Sequence, residues 1–165
     1  YGRGRGRWLL PDLSEKGINM IHPNDAPRIL IFSTEKISDP AIDLAGLLKM
    51  HYSPRSYTIS VPCSSGIKPR WILHALGSGF DGVFIAADGT DCPYGDTCTV
   101  NTGKLVTRAH GMMKERGIQP KRLKMAAICS VCSEAFVNHI KTFTRDLSEH
   151  QEENPESKAD NPDMQ

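Results

Sequence analysis

The stretch at residues 83–98 determines the expected fold, and it reads Val-Phe-Ile-Ala-Ala-Asp-Gly-Thr-Asp-Cys-Pro-Tyr-Gly-Asp-Thr-Cys. Its first five residues form an apolar run typical of a buried strand, and a loop dense in Gly, Asp and Pro follows. That loop contains Cys92 and Cys98, so two thiols follow the predicted strand. In an open parallel sheet, groups that follow a strand collect at the carboxyl edge.

Outward from this stretch, the hydrophobic pattern predicts strands that alternate with helices. The predicted strands are residues 28–33, 57–61, 82–87 and 123–128. The predicted helices begin with Asp39 as N-cap, at Lys68-Pro69, at Asn101 and at Ser133. Such alternation implies right-handed crossovers and a parallel sheet with helices on both faces. We therefore expect a flavodoxin-like, three-layer α/β domain with about four parallel strands in the order 2-1-3-4.

The predicted domain occupies residues 28–147 and is flanked by segments of different composition. Residues 1–27 are interpreted as an extended arm or linker, with Trp8, Leu9 and Leu10 anchoring it on a partner. The Gly-Arg repeats in this arm are also found in single-strand nucleic-acid binders, but three arginines are a weak signal. Residues 148–165 are acidic and rich in Pro and Asn, which predicts a disordered tail.

Composition excludes several classes of protein. With 39% hydrophobic and 24% charged residues, the chain of 165 residues is typical of one soluble globular domain with tails. A net charge of +1 argues against a dedicated nucleic-acid binder. No apolar run approaches the roughly 20 residues of a membrane helix, so no direct membrane insertion is expected. The odd count of 5 cysteines favours a reducing compartment, which predicts a cytoplasmic protein.

All 5 cysteines follow predicted strands. Cys63 closes the second strand, Cys92 and Cys98 follow the third, and Cys129 and Cys132 follow the fourth. The strand ends should bring these thiols together, and converging thiolates bind zinc or an iron–sulfur cluster. From spacing alone, three interpretations stay open: a metal site, a redox dithiol in the Cys-x-x-Cys pair, or inert buried thiols.

Several ordered segments resemble the small iron–sulfur (delta) subunit of methyl-viologen-reducing hydrogenase. The Val-Pro-Cys-Ser-Ser-Gly-Ile of residues 61–67 is similar to the Val-Pro-Cys-Ser-Gly-x-Ile of that family. The Gly-Thr-Asp-Cys-Pro-Tyr of residues 89–94 is similar to its Gly-x-Asp-Cys-His-Tyr. Residues 43–46, 79–83 and 116–123 also match, so the resemblance extends over about residues 28–146.

The resemblance implies an electron-transfer subunit with a 2Fe–2S cluster that performs no bond chemistry itself, and the departures from the family's cysteine pattern leave a 4Fe–4S cluster open. Its implied partners are a hydrogenase or other dehydrogenase module and a heterodisulfide-reductase-like flavoprotein with FAD and iron–sulfur centres. The same domain also occurs fused to such flavoproteins, so the chain could be a separate subunit or part of a fusion. One alternative is a scaffolding subunit whose cluster is lost or replaced by zinc. Another is a dithiol oxidoreductase that uses Cys129 and Cys132.

The resemblance also predicts a changed ligand set. The family has a Cys-x-x-Cys after the first strand and a further cysteine after the third, where this chain has Thr34, Ile37 and Ala87. Only Cys63 and Cys92 match by position. The expected metal ligands are therefore Cys63, Cys92, Cys98 and one or both of Cys129 and Cys132. Backbone N–H groups of Ser64, Ser65 and Gly66 are expected to donate to cluster sulfurs, because these residues adjoin Cys63.

Overall fold

A computed structural model describes residues 26–89, 92–95 and 97–153 of the chain. It confirms the α/β class: four parallel strands form a single sheet in the order β2-β1-β3-β4. The strands are β1 (Ile29–Thr34), β2 (Ser56–Val61), β3 (Gly82–Ala87) and β4 (Leu123–Ala127). The helices are α1 (Ser38–Leu47), α2 (Pro69–Gly77), α3 (Cys98–Glu115) and α4 (Ser133–Glu153). Most of the predicted arm and tail, residues 1–25 and 154–165, lies outside the described residues.

The central strands β1 and β3 are buried on both faces, as continuous apolar runs predict. Alternate side chains of these strands point to opposite faces, and each face packs on its own pair of helices. One core contains Ile29, Ile31 and Phe84 against residues of α1 and α4. The other contains Leu30 and Ile85, among others, against residues of α2 and α3. The sheet is therefore the middle layer of three.

The amino ends of the strands are joined by a polar junction. The backbone N–H of Arg28 donates to the Asp81 carboxylate at 2.7 Å, and the N–H of Asp81 donates to the Arg28 carbonyl at 2.8 Å. The half-buried Arg122 guanidinium donates to the carbonyl oxygens of Phe80 and Asp81, each at 2.7 Å. This junction fixes the loop that enters β3 against the starts of β1 and β4.

Two predicted helix starts and one predicted helix end are wrong. Asp39 is not the N-cap of α1, because the helix begins at Ser38 and the Asp39 carboxylate instead accepts hydrogen bonds from the Ser33 and Ser60 hydroxyls. Helix α3 begins at Cys98, three residues before the predicted Asn101. Helix α4 continues to Glu153, past the predicted end at 147 and into the segment assigned to the tail. Within the described residues, no helix is long and apolar enough to span a membrane.

Candidate metal centre

Three cysteines meet at the carboxyl edge of the sheet, on the side covered by α2 and α3. Cys63 lies two residues after β2 and precedes a short 3-10 turn at Ser64–Gly66. Cys92 lies in the loop after β3, and Cys98 is the first residue of α3. Two strand ends and one helix start thus converge at the carboxyl edge of the parallel sheet, although β1 lies between β2 and β3.

The sulfur atoms of these cysteines form a compact group. All three Sγ atoms lie within 4.8 Å of one another, and the Sγ atoms of Cys63 and Cys98 are 3.2 Å apart. Cys92 and Cys98 are buried and Cys63 is half-buried, so the group lies just beneath the surface. Soft thiolate ligands at this spacing fit zinc, copper(I) or an iron–sulfur cluster, so the donor set is suited to a metal.

Hydroxyl groups surround the sulfur atoms. The Ser65 hydroxyl lies 3.0 Å from the Cys63 sulfur, and the fully buried Ser64 hydroxyl lies 3.5 Å from the Cys98 sulfur. Ser64 is held in place by Thr102, whose hydroxyl is 2.9 Å away and is itself fully buried. The N–H of Gly66 donates to the carbonyl oxygen of Cys63 at 3.1 Å. These contacts orient two of the three thiols.

The two buried thiols have opposite acidities. Burial raises the pKa of Cys98, but hydrogen bonds from Ser64 and from the two other thiols outweigh burial and lower the pKa to about 7. Burial raises the pKa of Cys92 to about 12, and its hydrogen bonds to Cys98 and Asp88 act in the same direction. In the metal-free protein, Cys98 therefore loses its proton readily and forms a thiolate, whereas the neighbouring Cys92 keeps its proton.

A cluster of oxygen atoms occupies the end of β1 beside the thiols. The Thr34 hydroxyl donates to the Asp88 carboxyl group and lies 3.0 Å from the Ser38 hydroxyl, which donates to the Ala86 carbonyl at 3.0 Å. Thr34, Ser38 and Asp88 are all almost fully buried. The family resemblance predicts a cysteine after the first strand. At that place this chain instead has hydroxyl and carboxyl oxygens that hydrogen-bond to one another, which we call the Thr34–Ser38–Asp88 network.

The other two cysteines follow β4 and are joined to each other. Cys129 and Cys132 form a disulfide with a Cα–Cα separation of 5.0 Å, immediately before α4. They do not belong to the three-thiol group that the described residues form. The structure therefore brings together three of the five predicted ligands and pairs the remaining two separately.

Sequence reasoning missed Thr102 and the link between Asp88 and the thiols. Thr102 follows Cys98 by one helical turn, and its hydroxyl donates to the Cys98 carbonyl at 2.9 Å. The i, i+4 spacing of Cys98 and Thr102 indicates a contact only if both residues lie in α3. The predicted helix began at Asn101, three residues after the observed start at Cys98, so this contact was missed. Asp88 was visible in the sequence as the first polar residue after β3, but one of its partners, Thr34, comes from β1.

The fold and the thiol group together define a class: an α/β domain with a metal-competent cysteine site at the carboxyl edge of its parallel sheet. A family model described as methyl-viologen-reducing hydrogenase, delta subunit, matches residues 29–150. The chain therefore belongs to this family, which confirms the resemblance seen in the sequence.

Curated relatives are of two kinds. The chain is 33% identical over 114 residues to the iron-sulfur subunit of the vhc F420-non-reducing hydrogenase of Methanococcus voltae, a match that covers 68% of this chain and 78% of that protein. It is 32% identical over 102 residues to the iron-sulfur subunit of the F420-non-reducing hydrogenase of Archaeoglobus profundus, covering 60% of this chain and 72% of that protein. It is 30% identical over 128 residues to one subunit of the ferredoxin:CoB-CoM heterodisulfide reductase of Methanosarcina mazei. That match covers 78% of this chain but only 16% of the relative.

Proposed function

We propose that this chain is an iron–sulfur electron-transfer subunit or fused domain. It relays electrons between a hydrogenase or other dehydrogenase module and a heterodisulfide-reductase-like flavoprotein, in the cytoplasm. The observation that supports this most directly is the group of three thiols within 4.8 Å of one another at one sheet edge. Subunit relatives named as iron-sulfur proteins support the choice of cofactor, and the two kinds of relative support the choice of partners.

Cys63, Cys92 and Cys98 would supply three of the four ligands that an iron–sulfur cluster takes, and the bound cluster would store and release single electrons. The 2Fe–2S type is the one proposed, with 4Fe–4S as the variant that the changed ligand set allows. The predicted contribution of Cys129 and Cys132 to the same metal requires their disulfide to be reduced first.

The surrounding residues would adjust the site for this task. Cys98, with its pKa lowered to about 7, is the thiol that loses its proton most readily when metal arrives. The Ser64 and Ser65 hydroxyls, and the Ser65 N–H toward Cys98, supply hydrogen bonds of the kind that adjust the reduction potential of a cluster. Gly66 contributes through the Cys63 carbonyl, which it holds in the turn.

Iron and acid-labile sulfide analysis of anaerobically purified protein tests this proposal, together with electron paramagnetic resonance before and after dithionite. We expect about two irons per chain and a signal in the reduced state. About four irons per chain would leave the proposed function standing and indicate a 4Fe–4S cluster instead. Absence of iron from protein isolated together with its partners would contradict the proposal.

The second candidate is a scaffolding subunit in which zinc, or no metal, replaces the cluster. The Thr34–Ser38–Asp88 network favours it, because oxygen groups that satisfy one another stand where the family resemblance leads one to expect a thiol. Three thiolates also suit a structural zinc ion. Zinc without iron in protein from iron-supplemented anaerobic cultures would select this candidate.

A further inference from the structure

We propose that Cys129 and Cys132 form a second redox site, a reversible dithiol/disulfide couple that exchanges with a disulfide-containing substrate. This activity is distinct from the three-thiol site and does not depend on the proposed cluster. The pair lies at the carboxyl end of β4, with Cys129 in the turn and Cys132 immediately before Ser133, the first residue of α4.

The backbone holds the two cysteines close whether or not their sulfurs are bonded. The N–H of Cys132 donates to the Cys129 carbonyl at 3.1 Å, and the Cys132 carbonyl accepts from the N–H of Phe136 in the first turn of α4 at 3.0 Å. The N–H of Ile128 donates to the Ala87 carbonyl at 2.8 Å and fixes the turn to β3. Because these bonds involve no sulfur, the reduced pair keeps its geometry, and the disulfide can open and close without refolding.

The two cysteines have different surroundings. Cys132 is half-buried and packs against the core formed by α1, α4 and the sheet. Cys129 is also half-buried but is not part of that core. Between them, Ser130 is exposed and Val131 is 74% exposed, so an apolar side chain faces solvent beside the two sulfurs. This asymmetry assigns Cys129 as the attacking thiol, Cys132 as the resolving thiol, and Val131 as the contact for the substrate.

The exchange proceeds in two balanced steps. The Cys129 thiolate attacks one sulfur of the substrate disulfide, forms a mixed disulfide and releases the first substrate thiolate. The Cys132 thiolate then attacks the Cys129 sulfur, closes the internal disulfide and releases the second substrate thiolate. Two electrons pass from the protein dithiol to the substrate, and the two protein protons reach the two leaving thiolates. A dithiol reductant returns the pair to its reduced form by the reverse exchange.

The test uses reduced, desalted full-length protein, treated anaerobically with oxidised glutathione, quenched in acid and analysed by peptide mass spectrometry. Wild type should form the internal Cys129–Cys132 disulfide and carry no glutathione on either of these cysteines. Cys132→Ser should accumulate a glutathione adduct on Cys129, and Cys129→Ser should form at least 10-fold less adduct on Cys132. Ser130→Ala, an exposed change in the same turn, should behave as wild type. No adduct on Cys129 in Cys132→Ser would overturn the proposal.

A second arm identifies the source of the disulfide. A synthetic peptide dimer, linked by one disulfide with a leucine beside each cysteine, is compared with glutathione. A rate at least 10-fold higher for the peptide, and reduced several-fold by Val131→Ser, indicates a protein disulfide. Equal rates that Val131→Ser does not alter indicate a small-molecule disulfide.

Metal analysis of the same variants separates this inference from the proposed function. Cys129→Ser and Cys132→Ser should keep the metal content of wild type. Loss of metal from either variant would show that the replaced cysteine is a metal ligand, which would overturn the inference and leave the proposed function standing. Absence of iron from wild type, with the exchange intact, would overturn only the proposed function.

Discussion

The two ends of the sheet are built from different groups. At the amino ends, the charged side chains of Asp81 and Arg122 bind backbone atoms and join three strand starts. The Arg28 guanidinium there lies 5.1 Å from the centre of the Phe80 ring. At the carboxyl ends, thiols and hydroxyls gather instead, and the thiols retain the capacity to bind something else. The difference indicates that the chemistry is placed at the carboxyl edge of the sheet, while the amino edge contributes stability alone.

The carboxyl edge is itself divided. The thiols of Cys63, Cys92 and Cys98 contact one another, and weak hydrogen bonds between thiols leave their metal-binding capacity intact. The Thr34–Ser38–Asp88 network nearby has strong donors and acceptors that bond to one another, and Asp88 also bonds to Cys92. We therefore expect changes in the first group to alter metal binding, and changes in the second to alter stability.

The largest expected effect is loss of metal in Cys98→Ser. Removing one of three thiolates from the compact group should reduce metal per chain at least 10-fold, measured by elemental analysis after anaerobic purification. Val100→Ser, an exposed change in the same turn of α3, should keep the metal of wild type. Equal metal content in Cys98→Ser and Val100→Ser would show that the thiol group is not the binding site.

The sequence predicted the sheet because its signals were local and strong. The apolar runs of β1 and β3 are continuous, as burial on both faces requires, and each is followed by a helix pattern. The helix starts were less predictable, because the partner of Asp39 is not in its own helix. The Asp39 carboxylate accepts hydrogen bonds from hydroxyls on two strands. No local sequence pattern shows that these long-range bonds replace a cap on its own helix.

The sequence predicted which edge of the sheet carries the candidate site, but not how the individual cysteines are arranged there. Strand ends converge in any parallel sheet, so a meeting of Cys63 and Cys92 could be expected from spacing. The arrangement of Cys129 and Cys132 could not, because a Cys-x-x-Cys turn allows its thiols either to face each other or to face a neighbouring loop. The backbone bond from Cys132 to Cys129, which sets that turn, appears only in three dimensions.

Thr34→Val should lower stability more than metal content. The substitution keeps the shape of the side chain but removes the donor to Asp88 and the acceptor of the Ser38 N–H. Leaving the buried Ser38 N–H without this acceptor and the Asp88 carboxyl without this donor should lower the free energy of unfolding by about 2–3 kcal/mol, measured by urea denaturation of metal-free protein. Thr58→Val, on the exposed face of β2, is the matched control and should change stability little. A loss of metal without a loss of stability would place this network in the metal site.

Gly82→Ala tests the amino edge of the sheet. A Cβ at this position would lie 2.6 Å from Leu147 Cδ1 and 2.8 Å from Phe143 Cζ, both in the buried face of α4. Overpacking of this kind should lower the free energy of unfolding by about 2 kcal/mol and leave metal per folded chain unchanged. Gly46→Ala, within α1 and with nothing within 4 Å of its Cβ, should stabilise the chain by up to about 1 kcal/mol. If Gly82→Ala removed metal, stability and chemistry would not be separate.

The smallest expected effect is on the acidity of Cys98. In metal-free wild type, thiolate absorbance in the ultraviolet should rise as the pH passes through about 7, because the lowered pKa favours the thiolate above that pH. Ser64→Ala removes a hydrogen bond to the sulfur, so the midpoint should move upward, toward the ordinary thiol value of 9.0. Ser130→Ala, exposed beside the disulfide, should not move it.

Whether the midpoint shifts in Ser64→Ala shows which groups stabilise the Cys98 thiolate. Since a metal must displace the proton from each thiol, a higher pKa in Ser64→Ala should weaken metal binding near pH 6 more than near pH 9. An unchanged midpoint would mean that the Cys63 and Cys92 thiols and the Ser65 N–H stabilise the Cys98 thiolate without help from Ser64. In that case the Ser64–Thr102 contact would serve only the packing of α3, like the contacts at the amino edge. A shifted midpoint would instead show that Ser64, which contacts the Cys98 sulfur, also takes part in the chemistry of the carboxyl edge.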